Sequence, residues 1–517
     1  MEYSKNSNLN LKNKIVQKKT FFIFLFIILF SLLLRIISIF NGGQFFWLDE
    51  YRYHNGYYFL SSIAEGDFNN LSKRIGENVQ HNFFVMFSMC AELVRFVCLK
   101  LFYDINMNAS NLMHAPQLSI GISNFVLSLS NVITSVFIYK IVTKEKKREN
   151  EALIAVFIFS TSTSLICYSR HLLPYDCSIM LLIIGFYLGL KKTRPNIFFC
   201  GMFCSLGILT YNGYIASFLC ICFFSIIWNI SSFKKIVLNI FYCLLGISST
   251  LLFFQVLSLY SDSNFILSLN DWILHSSIIQ QGDFGIGWRI FFEYLWHGEG
   301  LCFIILLGFF IYSLLKIVMS RKKLGIFVYQ RIGLYCTIFI YIVLIIQSDV
   351  LEKGVLYGRT INQAIPFLAL GCCYQVRNTF IFFERKKLNY LAILFILLFF
   401  FSSLLNFKKS INIVFPKDFI NQCTLESKSI EMLSTYSGRL IQKLETPNQL
   451  ASYSLYNAQP LYPPLAGKKE SNIKEILAIA NHPFNYRPYQ FMHFSEKERS
   501  ILNKSDVVMM FTRKQNL

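Results

Sequence analysis

The chain is dominated by long apolar blocks that carry almost no charge, such as FFIFLFIILFSLLLRIISIF at 21–40 and FYCLLGISSTLLFFQVLSLY at 241–260. A helix on the surface of a soluble domain is apolar along one stripe, whereas a helix apolar all round has to be buried in protein or lipid. Crossing the hydrocarbon layer takes about 20 such residues, with shorter helices tolerated inside a bundle. About eleven blocks meet that standard, near 21–40, 118–140, 152–168, 175–190, 196–210, 213–228, 236–260, 300–318, 327–346, 361–376 and 388–405. The first is too long for the apolar core of a signal peptide and lacks a small-residue cleavage site, so it reads as a retained anchor. Only 15% of the 517 residues are charged, against about 25% in an ordinary soluble protein, and this argues against a soluble enzyme.

Forty-nine Lys and Arg against 29 Asp and Glu give a net charge of +20. A nucleic-acid-binding protein would gather that excess on one soluble face. Here it falls in short runs between apolar blocks: Lys140, Lys144, Lys146, Lys147 and Arg148; Lys191, Lys192 and Arg194; Lys234 and Lys235; Arg321, Lys322 and Lys323; Arg385, Lys386 and Lys387. The intervening short loops hold only Arg170, Arg289, Lys353 and Arg359. Basic runs mark cytoplasmic loops, so the N-terminus is expected inside and, with an odd number of spans, the tail outside. The 14 cysteines sit mostly in or beside apolar blocks with no ligand-type spacing, so neither a disulfide framework nor a zinc site is expected.

The expected fold is an α-helical polytopic membrane protein in two parts, a multi-span domain over 1–405 and a small extracytoplasmic α/β domain over 406–517. The tail turns polar, with a helical stretch near 427–444, a turn at Pro463 and Pro464, and a strand-like SDVVMMFT at 505–512. The first outer loop, 41–117, contains HNFFVMFSMCAELVRFVCLKLFY at 81–103. Glu92 and Arg95 interrupt that segment, which suggests an interfacial helix with its charged edge in water.

The polar residues of interest face the outer side. FFWLDEYRYHNGYY at 45–58 places Asp49 and Glu50 near Tyr53 and His54, and an Asp at the membrane surface can act as general base for a hydroxyl acceptor. The competing reading is an aromatic belt with a solvated acidic pair. CYSRHLLPYDCS at 167–178 carries Arg170, His171 and Asp176. Either Arg170 grips a phosphate through its planar fork, or it pairs with Asp176 and pins the turn. Glu293, His297 and Glu299 are close enough in sequence to hold a divalent cation, without matching a specific metal motif. Lys353, Tyr357 and Arg359 lead directly into a span, where basic residues suit a lipid phosphate or simple interface anchoring. No P-loop, dinucleotide fingerprint or nucleophile elbow is present. An activated group would therefore have to arrive on a lipid carrier.

A first span, an outer loop opening on the acidic pair Asp49 and Glu50, interfacial helices and many further spans together resemble the GT-C glycosyltransferases, in particular the aminoarabinose transferases and protein O-mannosyltransferases. SRHLLPYD at 169–176 and YGRTINQAIPFLALG at 357–371 are similar to that family's Arg-containing outer turn and its late Arg-then-Pro entry into a span. The resemblance covers about 1–405. It implies a multi-pass protein of the inner (plasma) membrane that transfers sugar from a polyprenyl-phosphate donor to a lipid, glycan or protein acceptor, with inversion. Asp49 would be the base, Glu50 its neighbour in the catalytic pair, and Arg170, Arg359 and Lys353 the phosphate ligands. Tyr53, His54, His171, Asp176 and Tyr357 would line the substrate site, and a divalent cation is an open possibility. The rival class is a transporter or flippase of a lipid-linked substrate, which would show inverted repeats and polar residues near the bilayer midplane. Neither is evident in the sequence.

Overall fold

The computed structural model describes residues 2–40, 56–77, 83–103, 120–144, 148–169, 171–227, 232–260, 262–271, 289–319, 328–351, 358–414, 473–478 and 509–513. The apolar blocks coincide with helices. In chain order these are α1 (Glu2–Phe40), α2 (Gly56–Ala64), α3 (Phe68–Glu77), α4 (Phe84–Tyr103), α5 (Ile120–Thr143), α6 (Glu149–Ser160), α7 (Thr163–Ser169), α8 (Tyr175–Gly189) and α9 (Arg194–Thr210). They continue as α10 (Ile215–Ile227), α11 (Phe233–Leu259), α12 (Arg289–Glu299), α13 (Leu301–Met319), α14 (Val328–Ile345), α15 (Gly358–Ile361), α16 (Ile365–Arg385) and α17 (Asn389–Val414).

Among the described residues, four helical segments are long and apolar enough to cross a membrane: Lys18–Phe40, Ile120–Thr143, Phe233–Leu259 and Val328–Val350. The pair α6 and α7, bent by 51° at its break, makes a fifth if it is one span. Of the other six expected blocks, those in α8, α10, α13 and α17 are shorter apolar stretches that at 1.5 Å per residue fall short of the hydrocarbon thickness alone, and those near 196–210 and 361–376 fall in α9 and α16, which are not among the helices long and apolar enough to cross. The helices α1 and α11 turn Phe21, Phe22, Phe26, Phe241, Phe253 and Val256 outward, more than half exposed. So large an apolar exterior suits contact with lipid.

Local sequence explains several boundaries. Pro195 in the first turn of α9 lacks an N–H that would have no intrahelical partner there anyway. The helices α8 and α16 are followed by left-handed lysines, Lys192 (φ 59°) and Lys387 (φ 57°), and Lys192 also caps α10 by donating from Nζ to the Phe224 and Ser225 carbonyls at 2.9 and 2.6 Å. The helices α9 and α11 approach closely at Gly201 and Gly246. A Cβ at Gly201 would lie 2.2 Å from the Cys243 carbonyl, and one at Gly246 2.1 Å from that of Phe198. At the opening of α6, Glu151 is buried and its Oε1 accepts from Arg148 (2.8 Å) and Arg377 of α16 (2.7 Å), joining the two helices.

The helix α4 is turned the opposite way from the sequence expectation. Glu92 and Arg95 are fully buried, Arg95 Nη1 lies 2.9 Å from Glu92 Oε2, and Ser123 of α5 donates to Glu92 Oε1 at 2.7 Å. Leu93, Val94, Val97 and Leu101 face outward instead. The charged edge is i, i+3, so both charges can turn onto a hydroxyl-bearing neighbour while the apolar face meets lipid.

A second departure concerns polar residues inside the bundle. Ser123, Asn124, Ser128, Ser130, Asn131, Thr134 and Ser135 of α5 are all buried. Ser128, Ser130 and Thr134 return their hydroxyls to carbonyls of their own helix. Asn131 Nδ2 and Ser135 Oγ have no hydrogen-bond partner. The sequence reading missed this stripe because its members alternate with Leu, Val and Ile. In the tail, β1 (Ile473–Ala478) pairs antiparallel with β2 (Met509–Arg513), with Ile476 opposite Phe511. The helix expected at 427–444 lies outside the described residues, and α17 runs through 405 to Val414.

Candidate functional site

The C-terminal end of α1 and the N-terminal end of α8 meet at a buried charged pair. Arg35 lies about one and a half turns before the end of α1 and is fully buried. Its Nη1 donates to Oδ2 of Asp176 at 2.7 Å. Pro174 precedes α8 directly, so Asp176 falls in the first turn, where the aligned peptide dipoles favour a carboxylate. The pairing is incomplete: Nε and Nη2 of Arg35 and Oδ1 of Asp176 are buried without a hydrogen-bond partner.

A run of tyrosines extends from this pair. Tyr175 packs edge-on to Tyr168 at 5.2 Å and to Tyr211 at 4.7 Å between ring centroids, and Tyr211 packs on Tyr214 at 4.9 Å. His171 is buried beside them, its amide donating to the Tyr168 carbonyl at 3.1 Å. On the far side Gln363 ties the entry of α16 to that of α10, accepting from the Ser217 amide at 2.9 Å and donating to the Gly213 carbonyl at 3.2 Å. Its neighbour Asn362 is fully buried, and neither Oδ1 nor Nδ2 has a hydrogen-bond partner among the described residues. Such an arrangement of aromatic rings and unsatisfied donors and acceptors is suited to binding a polar, hydroxyl-rich group.

Of the residues singled out from sequence, the structure brings Asp176 and His171 to this centre. Asp176 pairs with Arg35, while Arg170, the partner considered for it from sequence, lies outside the described residues. Asp49, Glu50, Tyr53, His54, Arg170, Lys353 and Tyr357 lie outside the described residues. Arg359 falls in α15, and Glu293 and His297 in α12, but their side chains are likewise outside the described set. Glu299 is engaged elsewhere. Its Oε1 accepts from Ser162 Oγ (2.6 Å) and the Ser164 amide (3.0 Å), and its Oε2 from the Thr163 amide (3.1 Å). It therefore caps α7 from α12 and holds the break between α6 and α7. Among the described residues no three His, Cys, Asp or Glu side chains gather as a metal site.

Sequence reasoning missed Arg35, although the signal was present: it is the single charge in the block 21–40, and an ionisable residue within a span is a functional candidate by default. Asn362 and Gln363 carried no such signal, since an Asn-Gln pair at the mouth of a helix is ordinary by composition.

No protein-family model matches the chain, and no curated protein matches it. It is similar to the Archaeoglobus fulgidus oligosaccharyltransferase in the apo form, with TM-score 0.45 and 10% identity over 84% of this chain and 59% of that one. It is also similar to the archaeal oligosaccharyltransferase AglB from Archaeoglobus fulgidus in complex with an inhibitory peptide and a dolichol-phosphate, with TM-score 0.46 and 11% identity over 85% of this chain and 60% of that one. The chain thus spans about three-fifths of the length of the solved structures it matches.

Proposed function

We propose that the protein is a membrane glycosyltransferase of the GT-C type that moves a sugar from a polyprenyl-phosphate carrier to an acceptor on the extracytoplasmic face. The observation that supports this reading is the buried Arg35–Asp176 centre, with its unsatisfied polar atoms and neighbouring tyrosine rings, at the ends of apolar helices. Asp176 was already implied in substrate binding by the resemblance of SRHLLPYD. An apolar cleft between α12, α13, α14 and α16, lined by Phe291, Phe292, Leu295, Phe303, Tyr341 and Leu368, is suited to a lipid tail.

In this mechanism Asp49 takes the proton of the acceptor, whose oxygen attacks the anomeric carbon from the face opposite the lipid phosphate. The carbon–oxygen bond to the phosphate breaks and the configuration inverts. Arg170, Arg359 and Lys353 would meet the charge that grows on the departing phosphate, an interaction that strengthens where water is excluded. Glu50, Tyr53, His54, His171 and Tyr357 would shape the cavity. The direct test is transfer of radiolabelled sugar from a polyprenyl-phosphate donor by purified protein in wild-type and Asp49→Asn forms. Wild-type transfer that falls with the variant supports the reading, and equal turnover removes Asp49 as base.

The transporter reading gains one observation, the buried polar stripe of α5, where Asn131 and Ser135 retain unsatisfied atoms. Proteoliposomes that translocate a fluorescent lipid-linked sugar without transferring it would favour that reading over transfer.

A further inference from the structure

We propose that the C-terminal ends of α5 and α8 form a headgroup site for an anionic phospholipid, with Lys140 and Lys191 as its cations and the outward faces of the two helices as the bed for its acyl chains. The inference is independent of the glycosyltransferase reading. Lys140 Nζ stands 5.2 Å from the centroid of the Phe137 ring, and Lys191 Nζ 4.7 Å from that of Tyr187. The two rings pack edge-on at 5.3 Å, so both ammonium groups stand over one pair of touching rings. Ring faces attract cations, and this holds the two lysines together at the junction of the helix ends. Both lysines are exposed, and neither makes an ion pair among the described residues.

The neighbouring lysines are engaged with carbonyls. Lys144 donates to that of Leu190, and Lys192 to those of Phe224 and Ser225, so both cap helix ends. Their charges still add to the local field: burial and the nearby charge of Lys144 draw the pKa of Lys192 down to about 8. The carboxylates at the opening of α6 have partners of their own, Glu149 accepting from Thr20 and Glu151 from Arg148 and Arg377. An anion between Lys140 and Lys191 would relieve this crowding of like charges. The helix faces beside the cations identify that anion as the head of a lipid. On α5, Leu129, Ile133, Phe137 and Lys140 recur at helical spacing, with Leu129 and Ile133 37% and 42% exposed. On α8, Ile184, Leu188 and Lys191 repeat the pattern with partial exposure of the two apolar residues. Each strip is apolar up to its last residue, a cation, and this matches a phospholipid whose chains lie along the helices and whose phosphate sits at the lysines. A soluble phosphate would gain nothing from the strips.

The test uses the full chain in uncharged detergent micelles, with fluorescent phosphatidylglycerol as the probe and phosphatidylcholine of the same chains and label as the zwitterionic control. Phosphatidylglycerol is expected to bind at least about tenfold more tightly, since each lysine near a membrane surface contributes about fivefold. Lys140→Gln/Lys191→Gln is expected to remove most of that preference, and Lys140→Arg/Lys191→Arg to keep it. Lys234→Gln/Lys235→Gln removes the same charge from two exposed positions in the first turn of α11, and is expected to keep the preference as well. Equal binding of the two lipids by the wild type overturns the proposal. So does a preference that survives in Lys140→Gln/Lys191→Gln, or one that falls equally in Lys234→Gln/Lys235→Gln, the result for a general basic field without a local site. Competition at matched ionic strength separates a lipid from a soluble anion: unlabelled phosphatidylglycerol is expected to displace the probe and inorganic phosphate to leave it bound, and displacement by phosphate overturns the lipid assignment. Should the Gln double variant not fold, Lys191→Gln alone, with an expected loss of about fivefold, replaces it with the same outcomes. Sugar transfer plays no part in the readout, so failure of the glycosyltransferase reading and failure of this site are separate results.

Discussion

Replacing Arg95 with Met removes the cation that lies against the buried carboxylate of Glu92. In the native structure both side chains are fully buried, Arg95 Nη1 is 2.9 Å from Glu92 Oε2, and the other carboxylate oxygen accepts from Ser123 at 2.7 Å. Removing one partner of a buried pair costs about 3–5 kcal/mol, because the remaining charge keeps its desolvation penalty and loses its compensation. Unfolding entropy is about 2.1 cal/mol/K per residue. Over 517 residues the loss converts to a fall of about 3–5 °C in the unfolding midpoint. Removing both charges, as in Glu92→Gln/Arg95→Met, strands neither member of this pair and keeps an acceptor for Ser123, so most of the loss should be recovered. The assay is tryptophan fluorescence during heating of the purified protein in one detergent at fixed concentration, with both singles and the double compared as a cycle. A double variant as unstable as Arg95→Met would refute the reasoning, since it would show that packing volume and not charge compensation holds α4 to α5. An Arg95→Met midpoint equal to wild type would show that α4 does not bury this edge.

Other outcomes follow from single contacts. Glu299→Ala removes three hydrogen bonds at the break between α6 and α7 and should lower the unfolding midpoint by several degrees, at about 1 kcal/mol or more per charge-assisted bond; an unchanged midpoint would show that the break holds itself. Lys192 lies in the turn after α8, and burial together with the charge of Lys144 draws its pKa down from 10.5 to about 8. Between those values the unfolded chain binds more protons than the folded one, so stability should rise as pH climbs from about 8 toward 10.5 and Lys192→Met should abolish the rise. A wild-type minus variant difference that stays flat over that range would count against it. Asp49→Asn should reduce transfer by about 100- to 10,000-fold while leaving donor binding near wild type, checked by single-turnover transfer alongside equilibrium binding. Reporter fusions should place Lys147 inside and Leu450 outside, and Leu450 found inside would reverse the orientation of the tail.

The helical nature of the body, the approximate positions of its main apolar helices and the apolar exterior were legible from local sequence, because a block apolar on every side has one stable environment and one backbone form that satisfies its own hydrogen bonds there. Which charges meet was not legible. Asp176 sits six residues from Arg170 and 141 from Arg35, and the structure joins it to Arg35. Nothing in the local sequence points to a partner so far away along the chain; the packing of α1 against the entry of α8 brings Arg35 to Asp176. The same holds for Glu92 and Arg95, whose spacing fixes a common face and leaves open whether that face looks to water or to α5. It holds too for Glu299, a candidate ligand by composition that the fold spends on the amides of α7. Sequence periodicity determines which residues lie on one side of a helix, and the direction that side faces is a property of the neighbouring helices, set by where buried charges and hydroxyls find their partners.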